Sequence, residues 1–108
     1  MTIDELNAKS MEMIVAAGEA RNALNQALDN IDDINKYNDL MEEARKAITR
    51  SHTAQTQVLQ GTITDPNFYP NILFTHAQDT LMTVMSEINT AKAIGNVYRR
   101  VLEKMNEK

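Results

Sequence analysis

The sequence has 108 residues, enough for one domain with a single modest core, and its 43% hydrophobic content with three glycines and two prolines excludes a disordered chain. A formal net charge of −4 removes the basic face that a nucleic-acid partner requires, and the absence of cysteine excludes disulfides and thiolate metal sites. With only three Tyr and two Phe, the core must be filled by Leu, Ile, Val, Ala and seven Met, a thin filling that favours oligomerisation.

The opening segment MTIDELNAKS is acidic and polar, unlike a signal peptide. The longest apolar run, Met13 to Ala17, falls far short of the ~20 residues of a transmembrane helix. A soluble, cytoplasmic protein without direct membrane insertion is therefore expected, with any membrane work left to another chain.

Residues Ile3 to about Ile31 read as one amphipathic helix, with Leu6, Met13, Ala17, Ala20, Leu24, Leu28 and Ile31 recurring at steps of three and four after the first turn. Thr2 and Glu5 have the spacing of a capping box. Gly18, among Ala16, Ala17 and Ala20, costs about 1 kcal/mol relative to alanine. Close approach of a neighbouring helix is the return expected there, and simple tolerance is the plainer reading. The run Asp29, Asn30, Ile31, Asp32, Asp33 forms the first connector. Asp32 or Asp33 caps the next helix in this reading, because three aspartates without the spacing and glycine of a calcium loop make a poor metal site.

The second helix is predicted from Ile34 to Gln60, with Tyr37, Met41, Ala44, Ile48, Ser51, Gln55 and Leu59 on one stripe. The stripe turns polar at its far end, where His52 and Thr56 also sit. Such a change marks a water-lined cleft, a buried network or an interface. His52 alone is read as structural or surface before it is read as a ligand. Gly61 to Asn71 reads as a loop, with Gly61 as a helix C-cap, a turn at Asp65-Pro66-Asn67 and Pro70 in the first turn of the third helix. Phe68 and Tyr69 are its hydrophobic anchors, closing the bundle end in preference to stacking on a ligand.

The third helix is predicted from about Pro70 to about Met105, on the seam Ala77, Leu81, Val84, Ile88, Ala91, Gly95, Tyr98, Leu102, Met105. Beside it runs a second line, His76, Asp79 and Thr83. Arg99, Arg100, Lys104 and Lys108 at the C-terminus complement the helix dipole, with docking to an acidic partner as a second reading. The fold class is all-α: an antiparallel up-down-up three-helix bundle forming a single domain over residues 1–108.

The chemistry centres on His76. Nothing marks a nucleophilic serine for a triad, no glycine-rich phosphate loop is present, and His-x-x-Asp with a distant His52 is a poor zinc set. A lone imidazole is nucleophilic near neutral pH and can accept and release a phosphoryl group. Gln78, Gln55, Thr56 and His52 are side-chain types able to donate hydrogen bonds to that phosphate. Asp79 would repel it, and fits a subunit interface where its charge is offset. Three Asp79 carboxylates meeting on a three-fold axis would call for a divalent cation with oxygen ligands.

The residues Leu73 to Thr83, LFTHAQDTLMT, resemble the active-histidine signature L-x-x-HAQDHLMT of the enzyme IIA components of the lactose/cellobiose type in the sugar phosphotransferase system. Three further stretches are similar to that family: MIVAAGEA at Met13 to Ala20, LMEEA at Leu40 to Ala44, and HTAQT at His52 to Thr56. Tyr98 also falls where the family carries an aromatic residue or histidine. The resemblance covers nearly the whole chain. It implies a homotrimer, nine helices about a three-fold axis, in which His76 accepts phosphate from the phosphorylated histidine carrier protein and passes it to a cysteine of the cognate enzyme IIB. Through IIB the phosphate serves the membrane component IIC and uptake of a lactose/cellobiose-type disaccharide. It also implies that Asp79 coordinates an axial divalent metal, typically Mg2+, and that no nucleotide or organic cofactor is used. Two features depart from the family pattern: Thr80 stands in place of the second histidine, and Gly61 to Asn71 lacks the usual acidic, glycine-containing composition. A catalytically silent regulatory or scaffolding bundle is the alternative reading, and a plain structural bundle with an incidental His-x-x-Asp is a third.

Overall fold

The computed structural model describes residues 1–107, which form three α-helices: α1 (Ile3–Asp29), α2 (Ile34–Thr64) and α3 (Ile72–Asn106). Lys108 of the basic C-terminal group lies outside the described residues. The helices run up, down and up in a rod of 66 × 18 × 18 Å. α1 packs against both partners, and α2 and α3 touch each other least.

Each helix starts where a side chain can satisfy an orphan backbone N–H. The Thr2 hydroxyl accepts from the Glu5 amide at 3.1 Å. Asp33 accepts from the Lys36 amide at 3.2 Å, so this connector aspartate is a cap. Asn71 accepts from the Phe74 amide at 3.0 Å while its own amide donates to Asn7 of α1 at 2.8 Å. That double engagement starts α3 at Ile72 and leaves Pro70 outside the first turn predicted to contain it.

α2 likewise runs four residues past its predicted end. Gly61 has an ordinary right-handed conformation and packs against Met1, whose Cβ is 3.6 Å from where a Gly61 side chain would begin. The helix stops at Thr64 because Asp65 precedes Pro66, which disfavours helical backbone at residue 65 and brings no N–H of its own.

The core has two sections. Near the α1–α2 connector it is alanine-rich, with Ala17, Ala20, Ala27 and Ala44 fully buried around Tyr37, Leu24, Val84 and Ile88. Towards the α2–α3 loop, larger side chains take over: Leu6, Met13, Val58, Phe74 and Leu81. Gly18 is exposed and nothing approaches within 4 Å of its would-be Cβ, so the close approach expected there is absent. It occurs instead at Gly95, against the Tyr37 ring. On α2, Val58 is fully buried and Leu59 is 40% exposed, because the α2 seam drifts past its predicted line. α3 outruns the other helices, leaving Leu102 and Met105 of its predicted seam 42% and 65% exposed.

Candidate active site

The segment around His76 starts one turn into α3, where the Asn71 cap and the buried Phe74 and Ala77 fix its rotation. Ala77 and Leu81 face the core with no exposure, so His76 and Asp79 point outward. They are neighbours at i and i+3 on one exposed face. The other helical neighbours of His76 are Ile72, Leu73 and Thr80. The Thr80 hydroxyl donates to the His76 carbonyl at 2.9 Å. Among the described residues, that carbonyl is the only His76 atom in a side-chain hydrogen bond, and Asp79 has no ion-pair partner. The imidazole is open to an incoming group.

The side chains expected to surround a phosphate do not converge on His76 within one chain. Gln78 is turned towards α2, where the Gln55 amide donates to its carbonyl at 3.0 Å. Thr56 donates to the His52 carbonyl at 3.0 Å, and both residues are exposed on α2. Ser51 is fully buried, its hydroxyl donating to the Met13 carbonyl of α1 at 2.8 Å. The polar end of the α2 stripe is therefore a network tying the three helices together.

Two residues that the sequence reading passed over brace the same face. Arg21 of α1 grips Glu87 of α3 in a two-pronged ion pair, Nε–Oε2 3.0 Å and Nη2–Oε1 2.7 Å. The hydrogen bonds from Arg21 hold the Glu87 carboxyl below its usual range; partial desolvation opposes this and the Arg21 charge adds to it. The residues are far apart in sequence and no local pattern couples them. Glu87 lies three turns beyond His76 on nearly the same line of α3, so the pair links that side of the helix to α1.

For a metal, Asp79 is the one acidic group on the His76 line in the first turns of α3. Among the described residues no group of three His, Cys, Asp or Glu side chains could hold an ion within one chain. Asp79 therefore has no full set of partner ligands of these types beside it among the described residues.

Residues 8–99 match the profile of the family described as PTS system, lactose/cellobiose-specific IIA subunit. The chain belongs to this family. It is 32% identical to the PTS system lactose-specific EIIA component of Lacticaseibacillus casei over 108 residues, 98% of this chain and 96% of that protein. It is 31% identical to the N,N'-diacetylchitobiose-specific EIIA component of Escherichia coli K12 over 86 residues, 76% of this chain and 72% of that one. The crystal structure of PtcA from S. mutans superposes with a TM-score of 0.84 at 30% identity, covering 92% of this chain and 99% of that chain. This IIA component is accordingly an all-helical part of a sugar phosphotransferase system, and no helix among its described residues is long and apolar enough to cross a membrane.

Proposed function

We propose that this IIA component is a cytoplasmic phosphoryl relay in which His76 accepts phosphate from the phosphorylated histidine carrier protein and passes it to a cysteine of the cognate enzyme IIB, for uptake of a lactose/cellobiose-type disaccharide. The observation that carries the reading is the His76 imidazole, exposed and, among the described residues, free of side-chain hydrogen bonds, in the HAQD segment of a chain of this family.

The chemistry is balanced at each step. A lone pair on one ring nitrogen of His76 attacks phosphorus. The bond from phosphorus to the donor imidazole breaks, and its electron pair returns to the donor ring. In the second step a cysteine thiolate attacks the same phosphorus and the pair returns to His76. With the other ring nitrogen of each imidazole protonated throughout, no net proton is transferred. Catalysis is then positioning and charge stabilisation. The Asn71 cap and the Arg21–Glu87 pair hold α3, and hence His76, in place.

The working unit of this proposal is a homotrimer, with α3 of each copy towards the axis. Its support is the exposed α3 line that carries Asp79 and continues through Ile94, Val97 and Val101, which are 45%, 56% and 52% exposed. Asp79 from three copies would hold one Mg2+, whose hardness suits carboxylate oxygen. The ion would offset two of the three negative charges at the axis and relieve most of their mutual repulsion. Gln78, Gln55, His52 and Thr56 reach a phosphate only through assembly or partner binding.

The test is a chase. Phosphate loaded onto this chain should leave it when the unphosphorylated cognate IIB is added and reappear on a IIB cysteine. Label that stays on this chain contradicts a relay and favours a silent regulatory bundle.

A further inference from the structure

The exposed line of α3 that begins at Asp79 changes character along its length. It passes Thr90, Val97 and Val101 and reaches Lys104, all at intervals that return to one side of a helix. An acidic group therefore stands at one end of the line and a basic group at the other. Around Lys104, the side chains of Val97, Arg100, Val101 and Met105 line a shallow, open hollow with it.

The cations of this hollow are poorly matched. Arg100 and Lys104 are like charges at i and i+4, an unfavourable pair on an isolated helix. The helix dipole accounts for Lys104 in the last turn, but its pull fades within that turn and Arg100 lies before it. Lys104 meets Glu107 at 3.5 Å, with the two side chains 80% and 66% exposed. Among the described residues Arg100 takes part in no ion pair. Glu103 lies on the other side of the helix, in the groove with Ile31, Ile34 and Leu102.

We propose that this end of the α3 line is an anion site completed by assembly, in which Lys104 of three copies, with Arg100 beside it, holds one tetrahedral oxyanion of the phosphate or sulfate class on the three-fold axis. The inference rests on the homotrimer reading, with α3 of each copy towards the axis. Rotation about an axis moves nothing along it, so each residue of the line meets its own copies at one level. Asp79 then gathers three carboxylates and Lys104 three ammonium groups. The repulsion that calls for a cation at the first end calls for an anion at the second. Arg100 adds to the positive charge there, and Glu107 offsets only part of the total. A tetrahedral oxyanion has a three-fold axis of its own: with one oxygen on the axis, each of the other three faces one copy. Ammonium and guanidinium groups donate charge-assisted hydrogen bonds to such oxygens. A face turned to the axis is closed to a large acidic partner and open to a small anion. Assembly then responds to free oxyanion as well as to metal.

Sulfate is the probe, because it leaves Mg2+ in solution. Sedimentation equilibrium is run with Mg2+ present, in chloride or in sulfate at matched ionic strength, on the wild-type chain, Lys104→Met and Lys104→Arg. Lys104 is exposed, and circular dichroism checks each fold. An anion bound by the trimer and not by the monomer raises the association constant about tenfold at ten times its Kd. The wild type and Lys104→Arg should show that rise. Lys104→Met should assemble more tightly than wild type in chloride and lack the rise. The general strengthening of apolar contacts by sulfate acts on all three alike, so the difference between them is the reading. A wild-type trimer that ignores sulfate, or an equal rise in Lys104→Met, overturns the proposal and leaves the trimer standing. A wild-type chain that forms no trimer in either salt overturns the homotrimer reading and the anion site with it.

Discussion

The hydroxyl of Tyr37 occupies the space that a side chain at position 95 would need: a Cβ built on Gly95 would lie 2.2 Å from the Tyr37 oxygen and 2.6 Å from its Cζ. Tyr37 is 4% exposed, donates to the Ala91 carbonyl at 3.0 Å and lies under the Arg99 guanidinium, 5.2 Å from the ring centroid. One turn of α3 is thereby keyed to the first turn of α2, the two helices that touch each other least in this bundle.

Two glycine substitutions should therefore have opposite signs. Alanine is favoured over glycine inside a helix by about 1 kcal/mol. At Gly18, exposed with nothing within 4 Å, that gain is unopposed and Gly18→Ala should stabilise the protein by up to about 1 kcal/mol. At Gly95 the new methyl must displace a buried aromatic ring, and overpacking costs of about 1–3 kcal/mol outweigh the propensity gain. Urea denaturation of the two variants against wild type reads both signs.

The Arg21–Glu87 pair makes a pH-dependent contribution whose sign follows from the lowered Glu87 pKa. A carboxylate depressed in the folded state stabilises at pH values above its unfolded pKa, and that stability is lost as pH falls through the folded value. The stability difference between wild type and Glu87→Gln should thus be constant near neutrality and shrink below about pH 4, where the unfolded carboxylate protonates. Both side chains are more than a third exposed, at 43% and 36%, so solvent screening keeps the difference small. A magnitude of under about 1 kcal/mol is expected, read by denaturation at a series of pH values.

Much of this molecule is legible in its sequence because helix periodicity and caps are local. The seam Ala77, Leu81, Val84, Ile88, Ala91, Gly95 is buried as its spacing predicts, and Thr2 and Asp33 cap as their positions predict. The boundaries that moved did so for non-local reasons: Asn7 reaches across to Asn71 and fixes the start of α3, and Met1 covers Gly61 where α2 was expected to end. Gly18 and Gly95 show the same limit. Both are glycines inside helices, and only the position of Tyr37 on another helix distinguishes the one that must stay small. At the site, sequence order placed His76 and Asp79 on one face. It could not show that Gln78 turns away to Gln55, since that depends on the azimuth of α3 against α2.

Asp79 tests the proposed assembly. Three carboxylates on an axis repel unless a cation sits among them, so Asp79→Leu should form trimers without metal, and its assembly should be indifferent to a chelator that weakens the wild-type trimer. Sedimentation of the two proteins with and without chelator checks this. Equal responses of wild type and Asp79→Leu to the chelator contradict an axial metal on Asp79.

The central claim is that His76 carries the phosphoryl group, and intact-mass analysis after incubation with phosphoenolpyruvate, enzyme I and the carrier protein tests it most directly. The wild-type chain should gain the mass of one phosphoryl group, stable in base and lost in acid, and His76→Ala should gain nothing. A wild-type chain that gains no phosphate, or a gain that survives His76→Ala, contradicts it.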